Sequence, residues 1–173
     1  MYSQILGSVN NITGLLEIGM GTNNTNIVSN MGNAGMPGAS LRAFRDCLPH
    51  AMIYGADVDK EILFEEDRIK TYFVDQTDPK TFDELNNNIL CNLDLIIDDG
   101  LHSPNANIST LTFALSKQKN QKNGWVVIED IPKRALSIWK VISFLIPSDL
   151  YNSYLIDTNE SYLFACQKVT NPK

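Results

Sequence analysis

Apolar residues gather along the chain in short, nearly continuous runs: GLLEIG at 14–19, AMIYGAD at 51–57, TYFVD at 71–75, LDLIID at 93–98 and WVVIED at 125–130. A strand with one wet face alternates apolar and polar positions, whereas a strand covered on both faces does not. These runs therefore predict a parallel sheet buried on both sides. Between them the apolar spacing lengthens to that of a helix, through Leu41, Phe44 and Leu48, then Phe82, Leu85 and Ile89, then Ile108, Leu111 and Leu115. Asp78-Pro79 and Ser103-Pro104 each set a capping side chain before a proline at the first helical position, marking two helix starts. Repeated β-α alternation predicts a doubly wound α/β sheet. After an apolar helix near 135–146, LYNSYLI and SYLFACQK flank the turn-like DTNE and predict a closing antiparallel hairpin. One long stretch, Thr22 to Gly38, has neither period and is rich in Asn, Gly and Met.

Composition narrows the class. A chain of 173 residues, 43% hydrophobic and 20% charged, is sized for one domain, so residues 1–173 are read as one. The net charge of −6 without a Lys/Arg-dense stripe argues against a nucleic-acid partner, which leaves small molecules. Cys47, Cys91 and Cys166 are far apart and odd in number, fitting neither a zinc site nor a disulfide set, and suit a reducing cytoplasm. MYSQILGSVNN lacks the basic and apolar parts of a leader, and the run ALSIWKVISFLIP contains Lys140 and is too short for a span. No membrane segment is expected.

Three signals carry chemistry. In LLEIGMGT a buried strand bearing Glu17 turns through Gly19 and Gly21, where backbone can approach a ligand at the carboxyl rim of an open sheet. The dinucleotide fingerprint needs another glycine where Asn24 stands, so a nicotinamide cofactor is disfavoured; the alternative is a glycine turn without a ligand. Asp57 ends the second strand, where a carboxylate can accept from both hydroxyls of a ribose. Asp59 reads better as the cap of a helix through Ile62 and Leu63. Asp75, with Gln76 beside it, ends the third strand and could meet an adenine amino group or be a solvated turn residue.

The third signal is IIDDGLHSP after the fourth strand together with VVIEDI at the end of the fifth. Neighbouring parallel strands lie about 5 Å apart, so Asp98, Asp99, Glu129 and Asp130 should crowd on one rim. Such carboxylates repel unless protonated or bridged by a cation, and hard oxygen ligands suit magnesium, manganese or calcium. The alternative is that they cap helices or face water. His102 follows three residues after Asp99, where an imidazole could take a proton from a polarised hydroxyl; His50 reads as a surface residue.

The ordered series LEIGMGT, PGASLRAFRDCLPHAMIYGADVD, VDQTDP, DLIIDDGLH and GWVVIED resembles the class I S-adenosylmethionine methyltransferases, above all the metal-dependent macrolide sugar O-methyltransferases and their cephalosporin-hydroxylase-type relatives. The resemblance implies a Rossmann-like, mostly parallel seven-stranded sheet. It implies cofactor contacts from Glu17, Gly19, Gly21, Asp57, Asp75 and Asp98, with Ser40 and Arg42 near the methionine end or in the helix beneath it. Asp99, Glu129 and Asp130 become ligands of Mg2+ or another divalent cation, and His102, with Asp99, the catalytic residues. The implied reaction moves a methyl group from S-adenosylmethionine to a hydroxyl of a small, sugar-like acceptor, in a chain compatible with homo-oligomers. The rivals are a nucleotide-sugar or nicotinamide oxidoreductase on a related sheet and a non-catalytic domain that binds the cofactor or a glycan. Asn24 in place of a glycine and the Tyr-free, acid-rich fourth-strand loop speak against the first, and the acid-and-histidine set speaks against the second.

Overall fold

A computed structural model of the chain describes residues 11–118 and 124–169, so the leader reading of residues 1–10 lies outside it. The strands are β1 (Gly14–Ile18), β2 (Met52–Asp57), β3 (Glu65–Glu66), β4 (Ile69–Phe73), β5 (Leu95–Asp98), β6 (Trp125–Ile131), β7 (Tyr151–Asp157) and β8 (Tyr162–Lys168). The helices are α1 (Ala39–Cys47), α2 (Pro79–Asn88), α3 (Pro104–Lys117) and α4 (Leu136–Leu145). All eight strands join one sheet in the order β3-β4-β2-β1-β5-β6-β8-β7. β1, β2, β4, β5 and β6 run parallel, and β8 and β7 form the expected antiparallel hairpin.

Consecutive residues of β1 show why the strand runs looked continuous. Leu16 points to a core with Phe82 and Leu85 of α2, Leu111 of α3 and Trp139 of α4, while Leu15 points to a second core with Leu41 of α1 and Leu48. Each fully buried large side chain contributes roughly 1.5–3 kcal/mol by leaving water. Trp139 also packs against Phe164 of β8 at 4.9 Å between ring centroids, which ties the hairpin to the parallel part of the sheet.

Three details depart from the sequence reading. The sheet has eight strands rather than seven, because β3 adds a two-residue antiparallel edge, Glu65 and Glu66 against Lys70 and Ile69. Both of its residues are exposed glutamates, so no apolar pattern announces it, and the turn closes through Arg68 at a φ of 57°. Asp59 does act as a cap, accepting from the Glu61 N–H at 3.0 Å, but the segment is a single 3-10 turn, Lys60–Ile62, rather than a helix. Ser103 stands at the start of α3, yet its hydroxyl donates to Asn105 Oδ1 at 2.8 Å instead of capping the backbone. Asp78 caps α2 as expected, accepting from the Lys80 N–H at 3.0 Å. Among the described residues no helix is long and apolar enough to cross a membrane.

Strand order turns back at β1: the chain first builds outward through β2 and β4, then returns to lay β5 and β6 on the other side. At such a reversal the loops leaving β1 and β5 diverge and open a crevice at the carboxyl rim. The register keeps this rim level, with Ile18 beside both Ala56 and Asp98, and Asp98 beside Ile128.

Candidate active site

A cavity of about 410 Å³ opens at that reversal, with Gly19, Gly21, Asp57, Asp75, Asp99 and Asp130 in its wall. Its size falls within the range of small-molecule sites. The chain leaves β1 through Gly19 and Gly21 at φ of 92° and 77°, a region that a side chain makes costly. Gly19 has a second reason to be glycine, since a Cβ there would sit 2.3 Å from the backbone oxygen of Asp99. The loops after β1 and β5 therefore touch backbone to backbone, joined by the Asp99 N–H donating to Ile18 O at 2.8 Å.

Asp57 accepts from the Met20 N–H at 2.7 Å and from the Asp59 N–H at 2.9 Å, one on each oxygen. It thus shapes the glycine turn while each oxygen retains a lone pair for a ligand hydroxyl. Asp75 also lines the cavity, with its Oδ1 accepting from the Thr77 N–H and hydroxyl at 2.8 and 2.6 Å. The aperiodic stretch Thr22 to Gly38 folds across the opening, placing Ile27, Val28 and Met31 in the wall. It is anchored by the Ser29 hydroxyl, which donates to Gly100 O at 2.6 Å, and by the Met31 N–H, which donates to Thr22 O at 2.8 Å.

At the far end of the cavity, Asp99, His102 and Asp130 offer ligand atoms that all lie within 4.8 Å of one another. Two of the three sit on unusual backbone, His102 at a φ of 53° and Asp130 at 46°. Conformations of this kind cost of order 1–3 kcal/mol each and persist only where the surroundings impose them. For Asp130 the cause is a register slip of β6 against β8 between Ile128 and Ile131, a bulge that re-aims side chains at a strand end. The Ser161 hydroxyl, in the β7–β8 turn, donates to Asp130 Oδ1 at 2.9 Å and fixes its direction. His102 Nε2 lies 3.8 Å from Asp99 Oδ1, and Nδ1 is buried without a hydrogen-bond partner among the described residues.

The crowding has an electrostatic signature. Partial burial, then the charges of Glu129, Asp130 and Asp98, push the Asp99 carboxyl up to about 7. Glu17 rises to about 8, chiefly from burial, with Asp99 and Glu129 adding to it and a 2.5 Å hydrogen bond from the Ser40 hydroxyl opposing it. Carboxylates that resist ionisation together, beside an imidazole, form a donor set that a divalent cation would satisfy.

Gly19, Gly21, Asp57, Asp75, Asp99, His102 and Asp130 are thus brought to one cavity, with half-buried Glu129 close enough to act on Asp99. Glu17 and Ser40 pair with each other and stand outside the cavity wall. Asp98 is fully buried, and its oxygens accept from Gln76, Asn107 and the Gly100 N–H, so it faces the protein rather than the cavity. His50 is exposed, as expected. Sequence reasoning missed Ser29 and Ser161, which carry no pattern, and treated Gln76 only as a neighbour of Asp75. The polar residues Asn107 and Thr110, lying among Ala106, Leu111 and Ala114 on the buried stripe of α3, were the available sign of a polar network there.

Glu17 gives a pH test of this arrangement. An unfolded glutamate titrates near 4.5, whereas the folded one holds its proton to about 8, so the folded state binds more protons between those values. The resulting stabilisation is complete below 4.5 and is lost as pH rises through 8. Glu17→Gln, which mimics the neutral acid, should gain on the parent by on the order of a few kcal/mol as pH climbs across that interval. Denaturant unfolding of both proteins across the interval measures this, and a difference independent of pH would mean that folded Glu17 is ionised throughout.

No family model matches the chain. Over 94 residues it is 36% identical to the demethylmacrocin O-methyltransferase of Streptomyces fradiae and 35% identical to the mycinamicin VI 2''-O-methyltransferase of Micromonospora griseorubida. A third relative, the 8-demethyl-8-alpha-L-rhamnosyl tetracenomycin-C 2'-O-methyltransferase of Streptomyces olivaceus, is 32% identical over 94 residues. That stretch is 54% of this chain but only 23–24% of each relative, so the matched part spans about a quarter of their length. Among solved structures, the MycE methyltransferase of the mycinamycin biosynthetic pathway, in complex with Mg and S-adenosylhomocysteine, superposes at a TM-score of 0.75 with 22% identity, covering 97% of this chain and 48% of that one. The same enzyme with Mg, S-adenosylhomocysteine and mycinamycin VI gives 0.72 at 21% identity over the same shares. Human methyltransferase-like protein 13 with S-adenosylhomocysteine gives 0.59 at 17% identity, covering 91% of this chain and 72% of that one. The chain has the class I S-adenosylmethionine methyltransferase fold, and over 94 of its residues it is similar in sequence to O-methyltransferases of the demethylmacrocin and mycinamicin kind.

Proposed function

We propose that the chain is an S-adenosylmethionine-dependent, divalent-cation-assisted O-methyltransferase acting on a hydroxyl of a small, sugar-like acceptor. The observation that carries this reading is the meeting of Asp99, His102 and Asp130 within 4.8 Å on the wall of the cavity that also holds Asp57 and the Gly19–Gly21 turn. S-adenosylmethionine would supply the methyl group, and the cation would supply charge that makes an acceptor hydroxyl more acidic. Asp99 and Asp130, with Glu129 beside them, are the residues to hold the cation. His102 Nε2, directed at Asp99, is the atom to take the hydroxyl proton. Asp57 receives the ribose hydroxyls, and the segment from Thr22 to Gly38 covers the reacting groups from water. The chain's contribution is chiefly alignment and charge stabilisation, with no covalent enzyme intermediate.

Calorimetric titration with S-adenosylhomocysteine, with and without Mg2+, tests the reading directly. We expect binding, and we expect Asp57→Ala to weaken it roughly ten- to a hundredfold, the worth of hydrogen bonds to a carboxylate together with the loss of its hold on the Met20 N–H. Turnover at saturating cofactor should fall little, because a ribose contact serves ground and transition states alike. Binding of NAD in place of S-adenosylhomocysteine would overturn the cofactor class.

A further inference from the structure

Between the end of β5 and the start of α3 the chain has to carry Asp99 and His102 with very little regular structure to hold it. The Asp99 N–H is tied to Ile18 O, and the next main-chain bond along the segment is the Asn107 N–H donating to Ser103 O at 2.9 Å. What lies between is held by side chains. Gln76, which stands three residues after the last paired residue of β4 and is 7% exposed, reaches past the ends of β2 and β1 to this segment. Its Nε2 donates to Asp98 Oδ1 at 2.9 Å and to Thr110 Oγ1 at 2.8 Å, while its Oε1 accepts from the Leu101 N–H at 2.8 Å. Asp98 in turn accepts from the Gly100 N–H at 3.2 Å and from Asn107 Nδ2 at 3.1 Å. One amide therefore ties the strand end, the first turns of α3 and the loop between them.

The fit leaves no slack. A Cβ on Gly100 would lie 2.2 Å from Gln76 Oε1 and 3.0 Å from its amide carbon, and those amide atoms are what the added carbon would meet. Gly100 has an ordinary φ, so its side-chain-free state is explained by the Gln76 amide lying against it rather than by backbone conformation. Immediately beyond the pinned Leu101, His102 adopts a φ of 53°. A left-handed histidine is an unfavourable state that needs its neighbours fixed.

We infer that Gln76 is the positioning residue of the Asp99–His102 segment: its amide, bonded to Asp98 before Asp99 and to the Leu101 N–H after it and seated against Gly100, holds the Asp99 carboxylate and the left-handed His102 in place beside Asp130. The inference rests on the proposed reading of those three residues as the cation and proton-transfer site. Without the amide, Leu101 and Asp98 lose partners on either side of Asp99, the Asp99 carboxylate leaves its place beside Asp130 and so weakens the cation site, and His102 relaxes toward an ordinary φ with its imidazole turned out of the cluster. Gln76 touches neither the cation nor the acceptor in this account; it acts through the segment that does.

The test is Mn2+ binding to the full chain, read from the free-ion electron paramagnetic resonance signal, for the parent, Gln76→Ala, Gly100→Ala, the double variant and Asp99→Ala. S-adenosylhomocysteine affinity is measured in parallel, and circular dichroism establishes that each variant is folded. Outer groups that orient metal ligands typically carry ten- to a hundredfold in metal affinity, and that loss is expected for each of the Gln76 and Gly100 single variants, with S-adenosylhomocysteine affinity within about threefold of the parent. The double variant should bind Mn2+ no more weakly than Gln76→Ala alone, because the methyl of Gly100→Ala acts by displacing an amide that is no longer there. In the ligand-free protein, amide exchange across Gly100 and Leu101 should be faster in Gln76→Ala. If Asp99→Ala loses Mn2+ while Gln76→Ala retains it, or if the two losses multiply in the double variant, the positioning role is wrong. A parent that binds no Mn2+ through Asp99 overturns the cation reading and this inference with it.

Discussion

Asp99→Ala is expected to lower cation-stimulated methyl transfer by about a thousandfold or more, while S-adenosylhomocysteine still binds within roughly threefold of the parent. The reasoning is spatial. Asp57 and the Gly19–Gly21 turn sit at the ends of β2 and β1, whereas Asp99 and Asp130 follow β5 and close β6, on the other side of the reversal in strand order. A side chain removed from the second group leaves the first group's hydrogen bonds intact. Asp99 N–H, which joins the two loops through Ile18 O, is a backbone contact and survives the substitution. What is lost is a ligand whose carboxyl is already destabilised as an anion by burial and by Glu129, Asp130 and Asp98, and so gains most from a cation. Asp130→Ala should behave alike, with part of its loss reproduced by Ser161→Ala, which frees Asp130 from its 2.9 Å hydrogen bond. Transfer by chelator-treated parent enzyme at full rate would remove the cation from the mechanism and leave the acids a structural role.

The parts of this site that the sequence announced are those that a single strand end determines. Gly19, Asp57 and Asp99 each follow a buried apolar run, and the rule that open sheets bind ligands at carboxyl ends places them together without further information. Seven of the eight strands were legible as apolar or hairpin runs; the other, β3, has exposed Glu65 and Glu66 that bury nothing and so leave no apolar trace. Asp98 is placed by its strand's facing rather than by its motif. It sits next to Asp99 in the motif and looks equally available, yet alternation along β5 turns it inward, where Gln76 and Asn107 take its oxygens. Gln76 is illegible for the converse reason, since a polar residue after a strand is ordinarily a loop residue, and only the pairing of β4, β2, β1 and β5 brings it to the loop before α3. The bulge that turns Asp130 into the site also depends on β8, a partner 30 or so residues further along the chain whose register no local pattern fixes.

His102→Ala should slow transfer by roughly a hundredfold or more at saturating cofactor and acceptor, the usual worth of a positioned general base. Geometry leaves two parts open to this imidazole. It lies within 4.8 Å of the ligand atoms of Asp99 and Asp130, near enough to join the cation's ligands, and its Nε2 is 3.8 Å from Asp99 Oδ1, where a hydroxyl bound beside Asp99 would meet it. A ligand and a base differ in what their removal does to the ion. If His102 takes the proton, His102→Ala binds Mn2+ within a fewfold of the parent and loses rate, because Asp99, Asp130 and Glu129 still hold the charge. If His102 is itself a ligand, Mn2+ affinity falls with the rate, and added metal restores much of the activity. A backbone consequence separates both from simple disruption: at a φ of 53° alanine is no better accommodated than histidine, so His102→Gly, which relieves that cost, should be at least as stable as His102→Ala and just as slow. We expect unchanged metal affinity with lost rate in both variants. A His102→Gly protein that methylates its acceptor at the parent rate would assign proton removal to another group or to solvent.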